Sequence, residues 1–378
     1  MQKKIESPNP VENIKLELEK YTNNSYLTHN FHPYPAKFIP QIPRNLIINL
    51  SNEGDWILDP FCGCGTTLVE SKLLKRNSIG VDINPLSTLI SKVKTKFLSP
   101  NKIKIIQKDT IDIIDEIKND KVYGIPLFYN INHWFKMEIQ EALSVIRHHI
   151  DLEKDEDIKD FLKIAFSAII NKVSNQDSDT RYAAINKIVT KQNVIDLFQR
   201  KVYGMIERLN EFMDEANNND VIVYSKDSTN LDYINKKIDL AITSPPYMNS
   251  YDYYLYHKHR MNWLSMDYRT VQDKEFGSRN KHNDNGLGLE SYNNPIKENA
   301  ISVNKILKEE GYYCIVVGDA ILKGKLIKMN DNFDKIFLNV GYKKIREIKF
   351  DQRKYTRTFT PNIKKQYKDS YVLIYQKN

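Results

Sequence analysis

Seven short runs along the chain carry apolar residues in patterns typical of β-strands. They are "DWILDP", "SIGVDINP", "VIVYSKDS", "IDLAITSPPY", "GYYCIVVGD", "KKIREIKF" and "DSYVLIYQK". Between the first two runs, "TTLVESKLLKRN" has helical periodicity, so this strand–helix–strand unit predicts parallel strands with a right-handed crossover. The last runs lie close together and predict an antiparallel end on a mostly parallel sheet.

The apolar spacing changes to that of helices within 99–220, for example in "MEIQEALSVIRHHI" and "IKDFLKIAFSAIINKV". We interpret 99–220 as a helical insertion in an α/β domain formed by 31–98 and 221–378, preceded by an N-terminal arm at 1–30. Inside the insertion, "SNQDSDTRYAA" predicts a polar break between helices. The Asn- and Gly-rich segment 267–295 predicts a mobile loop.

The formal net charge of +8 and the pI of about 9.0 favour a polyanionic partner, because neutralising phosphates releases counterions. No apolar run reaches the roughly 20 residues of a membrane span, and the N-terminus has no signal-peptide core. We therefore expect a cytoplasmic protein without a membrane partner. The three cysteines indicate neither a disulfide framework nor a metal site, since no further Cys or His stands at ligand spacing.

The stretch "LDPFCGCGTT" joins the first predicted strand to a helix through Gly63 and Gly65. Glycine at such a turn lets a ligand approach the backbone closely. Asp82 ends the next strand, about where nucleotide sites carry a ribose-binding carboxylate. Leu68 stands at the position of the third glycine of the dinucleotide pattern, so the turn suits a nucleoside cofactor without a pyrophosphate.

The stretch "AITSPPY" places two prolines and a tyrosine directly after a strand. Proline cannot continue a sheet ladder, so the strand has to end there and pass into a loop. An isolated S-P-P-Y is compatible with a simple strand-ending turn. Because it occurs together with the glycine turn and with Asp82 at a strand end, S-P-P-Y is a candidate catalytic motif.

Together, "DPFCGCGTT", "VDINP" and "TSPPY" resemble the motifs of the S-adenosylmethionine-dependent DNA amino-methyltransferases, which modify the exocyclic N4 of cytosine or N6 of adenine. The resemblance covers 31–98 and 221–378. It implies a Rossmann-like methyltransferase fold, with a mostly parallel sheet, an antiparallel strand near the C-terminus and the helical insertion. It also implies S-adenosylmethionine as the cofactor.

The resemblance assigns roles to single residues. For the cofactor it implies a loop of Asp59, Phe61, Gly63, Gly65 and Thr66, with Asp82 on the ribose, Asp227 near the adenine and Lys37 of "HPYPAKFIP" near the methionine carboxylate. For catalysis it implies the tetrapeptide Ser244, Pro245, Pro246 and Tyr247. An ordinary structural role in their loops is the alternative for Asp59, Asp227 and Lys37.

An exocyclic amino group is a poor nucleophile because its lone pair is delocalised into the ring. Acceptors beside its N–H bonds favour a pyramidal nitrogen in the transition state, and the Ser244 hydroxyl and the Pro245 carbonyl can serve as such acceptors. Tyr247 would stack on a base flipped out of the duplex. Serine in the tetrapeptide favours cytosine N4, with adenine N6 as the alternative. C5 methylation is excluded, because no cysteine stands where a nucleophile is needed.

Long spacers between the motifs of this family carry target recognition, so 99–220 is the leading candidate for that role. The candidate DNA contacts are aromatic and basic residues, namely Arg181, Tyr182, Tyr251, Lys258, Arg260, Arg279 and Lys281. The residues His257 and His259 beside Lys258 are expected to accompany them. A further basic stretch, 352–369, is expected to touch the DNA backbone.

The sequence therefore predicts a site-specific methyltransferase acting on double-stranded DNA, with a cognate restriction endonuclease as a candidate partner. Two alternatives stay open: an RNA amino-methyltransferase, and a non-catalytic DNA-binding subunit on a decayed methyltransferase fold. No appended RNA-binding module is recognisable in the chain. The intact "DPFCGCG", Asp82 and "TSPPY" argue against decay.

Overall fold

The computed structural model describes residues 11, 14, 24–179, 181–282, 286–351 and 368–378. The predicted arm at 1–30 and the basic stretch at 352–369 fall largely outside the described residues. Within the described part, a 3-10 turn at Leu27–Asn30 precedes a series of helices and strands.

The helices are α1 (Gln41–Leu50), α2 (Thr66–Leu73), α3 (Pro85–Thr95), α4 (Pro100–Lys118), α5 (Ile131–Trp134), α6 (Met137–Leu152), α7 (Glu156–Val173), α8 (Lys191–Glu215), α9 (Tyr253–Trp263), α10 (Tyr268–Lys274), α11 (Leu289–Ile306) and α12 (Met329–Val340). The strands are β1 (Trp56–Asp59), β2 (Asn77–Asp82), β3 (Gln176–Ser178), β4 (Arg181–Ala184), β5 (Val221–Ser225), β6 (Ile238–Thr243), β7 (Leu307–Gly318), β8 (Ala320–Leu322), β9 (Lys325–Ile327), β10 (Tyr342–Phe350) and β11 (Ser370–Lys377). No helix among the described residues is long and apolar enough to cross a lipid bilayer.

Seven strands form one sheet in the order β10–β11–β7–β6–β1–β2–β5. The strands from β7 to β5 are parallel, whereas β11 is antiparallel to both of its neighbours. The predicted fold class, a Rossmann-like α/β fold with an antiparallel C-terminal strand, is confirmed. The chain runs from β1 to β2 and β5, then returns to β6 on the other side of β1. A topological switch point therefore lies between β1 and β6.

Helices cover both faces of the sheet, as a parallel sheet requires. Side chains alternate along each strand, so neighbours in β1 face opposite ways. Leu58 packs in the cluster that contains Phe333 of α12, and Ile57 packs in the cluster that contains Leu46 of α1. The apolar runs read from the sequence supply both of these faces.

The insertion occupies the connection from β2 to β5 and contains α4 to α8 together with the β3–β4 hairpin. It shares one hydrophobic cluster with the helices behind the glycine turn. Leu86 and Ile90 of α3 belong to the same cluster as Phe161 of α7 and Phe198 of α8. Trp263, at the end of α9, is fully buried in that cluster as well.

The polar break expected between helices of the insertion lies between α7 and α8 and contains the β3–β4 hairpin, in which Ser178 pairs with Arg181. The prediction of a loop at 267–295 is wrong, because this segment contains α10 and the beginning of α11. The Asp267 side chain accepts two backbone N–H bonds at the start of α10, and α11 buries Tyr292. Capping and burial thus outweigh the polar composition of this segment.

Candidate active site

The carboxyl ends of four neighbouring strands meet at one open cavity. Asp59 ends β1, Asp82 ends β2, Asp227 follows β5, and Ser244 follows β6; all four line the cavity. Open α/β sheets bind ligands at this edge, beside the switch point. The empty space at this edge, including the part open to solvent, is about 1180 Å³.

The cavity brings together nearly all the residues that the sequence predicted for cofactor and catalysis. Those that line it are Lys37, Asp59, Phe61, Gly63, Thr66, Asp82, Asp227, Ser244, Pro245, Pro246 and Tyr247. Gly65 lies behind the wall of the cavity, at the beginning of α2.

The two glycines of the turn have positive φ angles, +48° at Gly63 and +76° at Gly65. A Cβ atom at Gly65 would lie 2.9 Å from the Cα of Ser91 in α3, so glycine is required there for packing. The Gly63 backbone N–H instead points to the next strand and donates to Asp82 at 3.0 Å. The turn is thus fixed from behind by α3 and from the side by β2.

The Asp82 carboxylate is held by backbone groups alone. Oδ2 accepts from the Gly63 N–H at 3.0 Å, and Oδ1 accepts from the Asn84 N–H at 2.8 Å. A carboxylate has about four lone-pair sites, so acceptor capacity remains for a ligand in the cavity. Burial raises the pKa of Asp82 to about 6, which still leaves it mainly ionised at neutral pH. This arrangement suits a pair of hydroxyl donors such as a ribose diol.

Asp59 is occupied by the protein itself. Its Oδ1 accepts from the Phe61 N–H at 3.2 Å and from the Thr243 hydroxyl at 2.7 Å, and its Oδ2 accepts from the Thr67 hydroxyl at 2.6 Å. The side chain is almost completely buried, and burial raises its pKa to about 6. Asp59 therefore ties together the glycine turn, α2 and the end of β6, and its direct contact with a cofactor stays a prediction.

The remaining cofactor candidates, Asp227, Lys37 and Phe61, also line the cavity. Asp227 is exposed and accepts from the N–H and the hydroxyl of Thr229 at 2.9 and 2.8 Å. Lys37 donates to the His29 carbonyl at 3.0 Å, and burial lowers its pKa. Phe61 meets Phe276 edge to face, with ring centroids 5.6 Å apart.

The tetrapeptide is held by its neighbours. Burial raises the pKa of Tyr247 to about 12, so its hydroxyl keeps its proton at neutral pH. The Tyr292 hydroxyl of α11 donates to the Pro246 carbonyl at 2.9 Å. No described residue donates a hydrogen bond to the Pro245 carbonyl. The Pro245 carbonyl, which the sequence predicted to contact the substrate, is therefore not hydrogen-bonded to any described residue, whereas the Pro246 carbonyl is.

Glu275 is a cavity residue that the sequence did not reveal. It is buried, and its carboxylate oxygens accept from the N–H groups of Tyr253 at 2.9 Å and Tyr254 at 3.3 Å, at the start of α9. Burial raises its pKa to about 8. The segment around it was predicted as a loop, and no local motif singles it out. Tyr34, which also lines the cavity, lies within "HPYPAKFIP", so that motif already contained it.

The predicted DNA contact of Arg260 is corrected by the structure. The side chain is completely buried, forms an ion pair with Asp179 and donates to the Ser167 carbonyl of α7 at 3.2 Å. His257 and His259 are buried too. This side of α9 packs against the insertion, so its polar residues serve the interior instead of facing a ligand.

Two further candidates are engaged in packing. Tyr182 lies against the rings of Trp134 and His259, with centroid distances of 4.7 and 5.2 Å. Lys281 donates to the carbonyls of Asp273 and Glu275, each at 2.7 Å. Their proposed contact with DNA stays a prediction, and these contacts argue for a structural role.

The other candidates remain accessible. Arg181 is exposed and pairs with Asp177 at 3.1 Å, and Arg279 is exposed. Lys258 is half-buried, with its ammonium 4.9 Å from the ring centroid of Tyr268. Tyr251 is half-buried, 5.8 Å from the Tyr253 ring that lines the cavity. These four remain candidates for contact with DNA.

Comparison with known proteins agrees with this geometry. A sequence model described as DNA methylase, for N6 and N4 methyltransferases, matches residues 3–92. The Type II methyltransferase M.MvaI of Kocuria varians is 31% identical over 249 residues, which are 61% of this chain and 55% of that protein. The chain is thus similar to DNA amino-methyltransferases. It spans about half the length of this relative.

Two further methyltransferases align over more of the chain. M.MjaII of Methanocaldococcus jannaschii is 25% identical, and the alignment covers 85% of this chain and 76% of that protein. M.BsoBI of Geobacillus stearothermophilus is 26% identical, covering 77% of this chain and 65% of that protein. Both are Type II methyltransferases.

The similarity to these methyltransferases implies S-adenosylmethionine as the cofactor, and the cavity fits it. The Asp82 carboxylate has acceptor capacity left for a ribose diol. A Cβ at Gly63 would lie 3.4 Å from the Tyr34 hydroxyl across the cavity wall, so glycine keeps this part open. The donor set and the shape therefore suit a nucleoside bound along the glycine turn.

Proposed function

We propose that this chain transfers a methyl group from S-adenosylmethionine to an exocyclic amino group of a flipped-out base in double-stranded DNA, cytosine N4 being the first candidate. One observation carries the proposal: the Asp82 carboxylate and the S-P-P-Y tetrapeptide line the same cavity at the switch point of the sheet. A cofactor held by Asp82 and a base held by the tetrapeptide would then be neighbours.

S-adenosylmethionine, when bound, supplies a methyl group that is already activated by the sulfonium. The task of the chain is therefore to hold the cofactor and to direct the acceptor nitrogen in line with the S–CH3 bond. We assign Asp82 to the ribose, Asp227 to the adenine side and Lys37 to the methionine carboxylate. Asp59 keeps the glycine turn and the end of β6 in a fixed relation through its three hydrogen bonds.

The Ser244 hydroxyl and the Pro245 carbonyl would bind the amino group that receives the methyl group. Hydrogen bonds from the amino group to these two oxygens draw its lone pair out of conjugation, which favours the pyramidal transition state. In the reaction the N–C bond would form, the S–C bond would break with its electron pair staying on sulfur, and the nitrogen would give up one proton to water. Tyr247 stays protonated and offers its ring to the face of the base.

The choice of base rests on Ser244, because serine at this position favours cytosine over adenine in the family resemblance. Adenine N6 is the alternative. We assign target recognition to the insertion, 99–220, which packs against α9 just beyond the tetrapeptide. The Type II methyltransferases among the relatives support a role in restriction–modification, with a cognate endonuclease as partner.

The test combines purified protein, S-adenosylmethionine with a labelled methyl group and unmethylated bacterial DNA, followed by digestion and mass spectrometry of the nucleosides. N4-methylcytosine is the expected product. N6-methyladenine would retain the mechanism and reverse the base assignment. No methylated base in the DNA, with the cofactor still bound, would overturn the proposed substrate class.

A further inference from the structure

A small hairpin at the carboxyl edge of the sheet has no counterpart in the predictions from sequence. β8 begins directly after β7 and pairs with β9 through a two-residue turn of Lys323 and Gly324. Both turn residues have positive φ, 49° and 74°, which is the geometry of a tight primed turn matched to the twist of the strands. Lys323 and Lys325 are exposed on this compact tip.

The base of the hairpin is attached to the catalytic loop. The Asn249 side chain, two positions after Tyr247, donates to the Ile321 carbonyl of β8 at 2.8 Å. Gly318, at the end of β7, lies against Tyr247; a Cβ at Gly318 would be 3.6 Å from the tyrosine ring. The hairpin therefore stands next to the tetrapeptide, beside the cavity that would receive the base.

The charges on the tip have no counter-ions in the described part of the chain. The nearby carboxylates are already paired, because Lys328 binds Asp319 at 2.8 Å and Asp369 at 3.1 Å. Neither Lys323 nor Lys325 forms an ion pair with a described residue. Two exposed cations on a short, hydrogen-bonded turn complement a dense line of negative charge, and duplex DNA carries one phosphate charge per about 1.7 Å of its axis.

We propose that the β8–β9 hairpin binds the sugar–phosphate backbone of duplex DNA next to the target base, with Lys323 and Lys325 each neutralising a phosphate. The proposal rests on the proposed function for its partner. The hydrogen bond from Asn249 to β8 joins the hairpin to the catalytic loop that would receive the base. Binding of the DNA backbone by the hairpin would therefore also fix the register of the duplex relative to the tetrapeptide.

The test uses the double variant Lys323→Gln/Lys325→Gln in the full chain, compared with a control that loses the same charge elsewhere. The control is Lys335→Gln/Lys343→Gln, both exposed and without an ion pair to a described residue. Lys343 is the second residue of β10, which runs in the same direction as β7, so Lys343 lies at the opposite edge of the sheet from the hairpin. Binding of a labelled duplex is measured by fluorescence anisotropy over a series of KCl concentrations. Calorimetry measures S-adenosylmethionine affinity.

The hairpin variant is expected to bind duplex more weakly, and its slope of log K against log salt should fall by about 2, roughly one for each phosphate that is no longer neutralised. The control should keep the wild-type slope, and cofactor affinity should be unchanged in both. A wild-type slope in the hairpin variant, or an equal fall in the control, overturns the hairpin assignment while the proposed function stands. A wild-type chain that binds cofactor but no duplex overturns both.

Discussion

Replacing Tyr292 by Phe tests whether the backbone of the tetrapeptide is set by α11. The substitution keeps the buried ring and deletes the hydroxyl that donates to the Pro246 carbonyl at 2.9 Å. The ring position itself is constrained, since a Cβ at Gly277 would lie 3.2 Å from it. The variant should therefore keep the shape of the site and lose one hydrogen bond.

The expected loss of kcat depends on whether another donor replaces the Tyr292 hydroxyl at the Pro246 carbonyl. No other described residue donates to the Pro246 carbonyl, and leaving a buried acceptor unpaired costs about 1–3 kcal/mol. Pro246 is half-buried, so water access favours the lower part of that range. If the loss falls on the transition state, kcat decreases about 5- to 150-fold, because about 1.4 kcal/mol corresponds to a factor of ten.

Tyr342→Phe provides a matched control. Its hydroxyl donates to the Ala300 carbonyl at 3.1 Å, so it also joins a buried tyrosine to the α11 region by a bond to a backbone carbonyl. Both variants should lose a similar free energy of unfolding in urea. Only Tyr292→Phe should lose kcat in single-turnover methylation of DNA, with cofactor affinity unchanged. Equal kcat in the two variants would refute a positioning role for Tyr292 and leave it a purely structural residue.

Three further outcomes are expected. Ser244→Ala should keep cofactor affinity, measured by calorimetry, and lose about 10- to 150-fold in kcat, since a hydrogen bond to a group gaining charge contributes about 1.5–3 kcal/mol; unchanged kcat would exclude it as an acceptor. Gly65→Ala should lower the free energy of unfolding by at least about 1–3 kcal/mol, because φ is +76° and Ser91 blocks the new Cβ; a wild-type urea midpoint would contradict this. Burial raises the pKa of Asp82 to about 6, so the folded chain keeps a proton that the unfolded chain releases between about pH 4 and 6. As the pH rises from about 4 to 6, the free energy of unfolding of the wild type should therefore fall relative to that of Asp82→Asn. The missing hydrogen bond in the variant adds only a constant difference between the two proteins. A difference in free energy of unfolding, measured in urea, that is the same at every pH would rule this out.

The sequence was most informative where chemistry and strand ends coincide. Parallel strands present their carboxyl ends at one edge, so Asp59, Asp82 and Ser244 could be expected to meet once each was predicted at a strand end. The cavity contains all three. Local periodicity and a short motif were enough because the topology of the fold brings strand ends together.

The sequence was less informative where a role depends on distant contacts. Tyr292 and Glu275 lie in a polar segment whose helices are stabilised by capping and burial, and neither feature has a periodic signal. Arg260 looked like a surface cation beside tyrosines, yet its partner Asp179 is 81 residues away in the chain. Secondary-structure propensity depends on residues that are close in the sequence, whereas the roles of these three residues depend on contacts with residues that are distant in it.

The position of the insertion also constrains the order in which the molecule can fold. β2 and β5 pair in parallel, with Ser78 opposite Val221, and the whole of 99–220 lies between them. Contacts between such distant segments form slowly, because closing a long loop costs entropy before the contacts compensate for it. β5 leads to Asp227, which lines the cavity, so this wall of the cavity forms only when the long connection closes. A chain whose β5 fails to pair with β2 would thus lack one wall of the cavity.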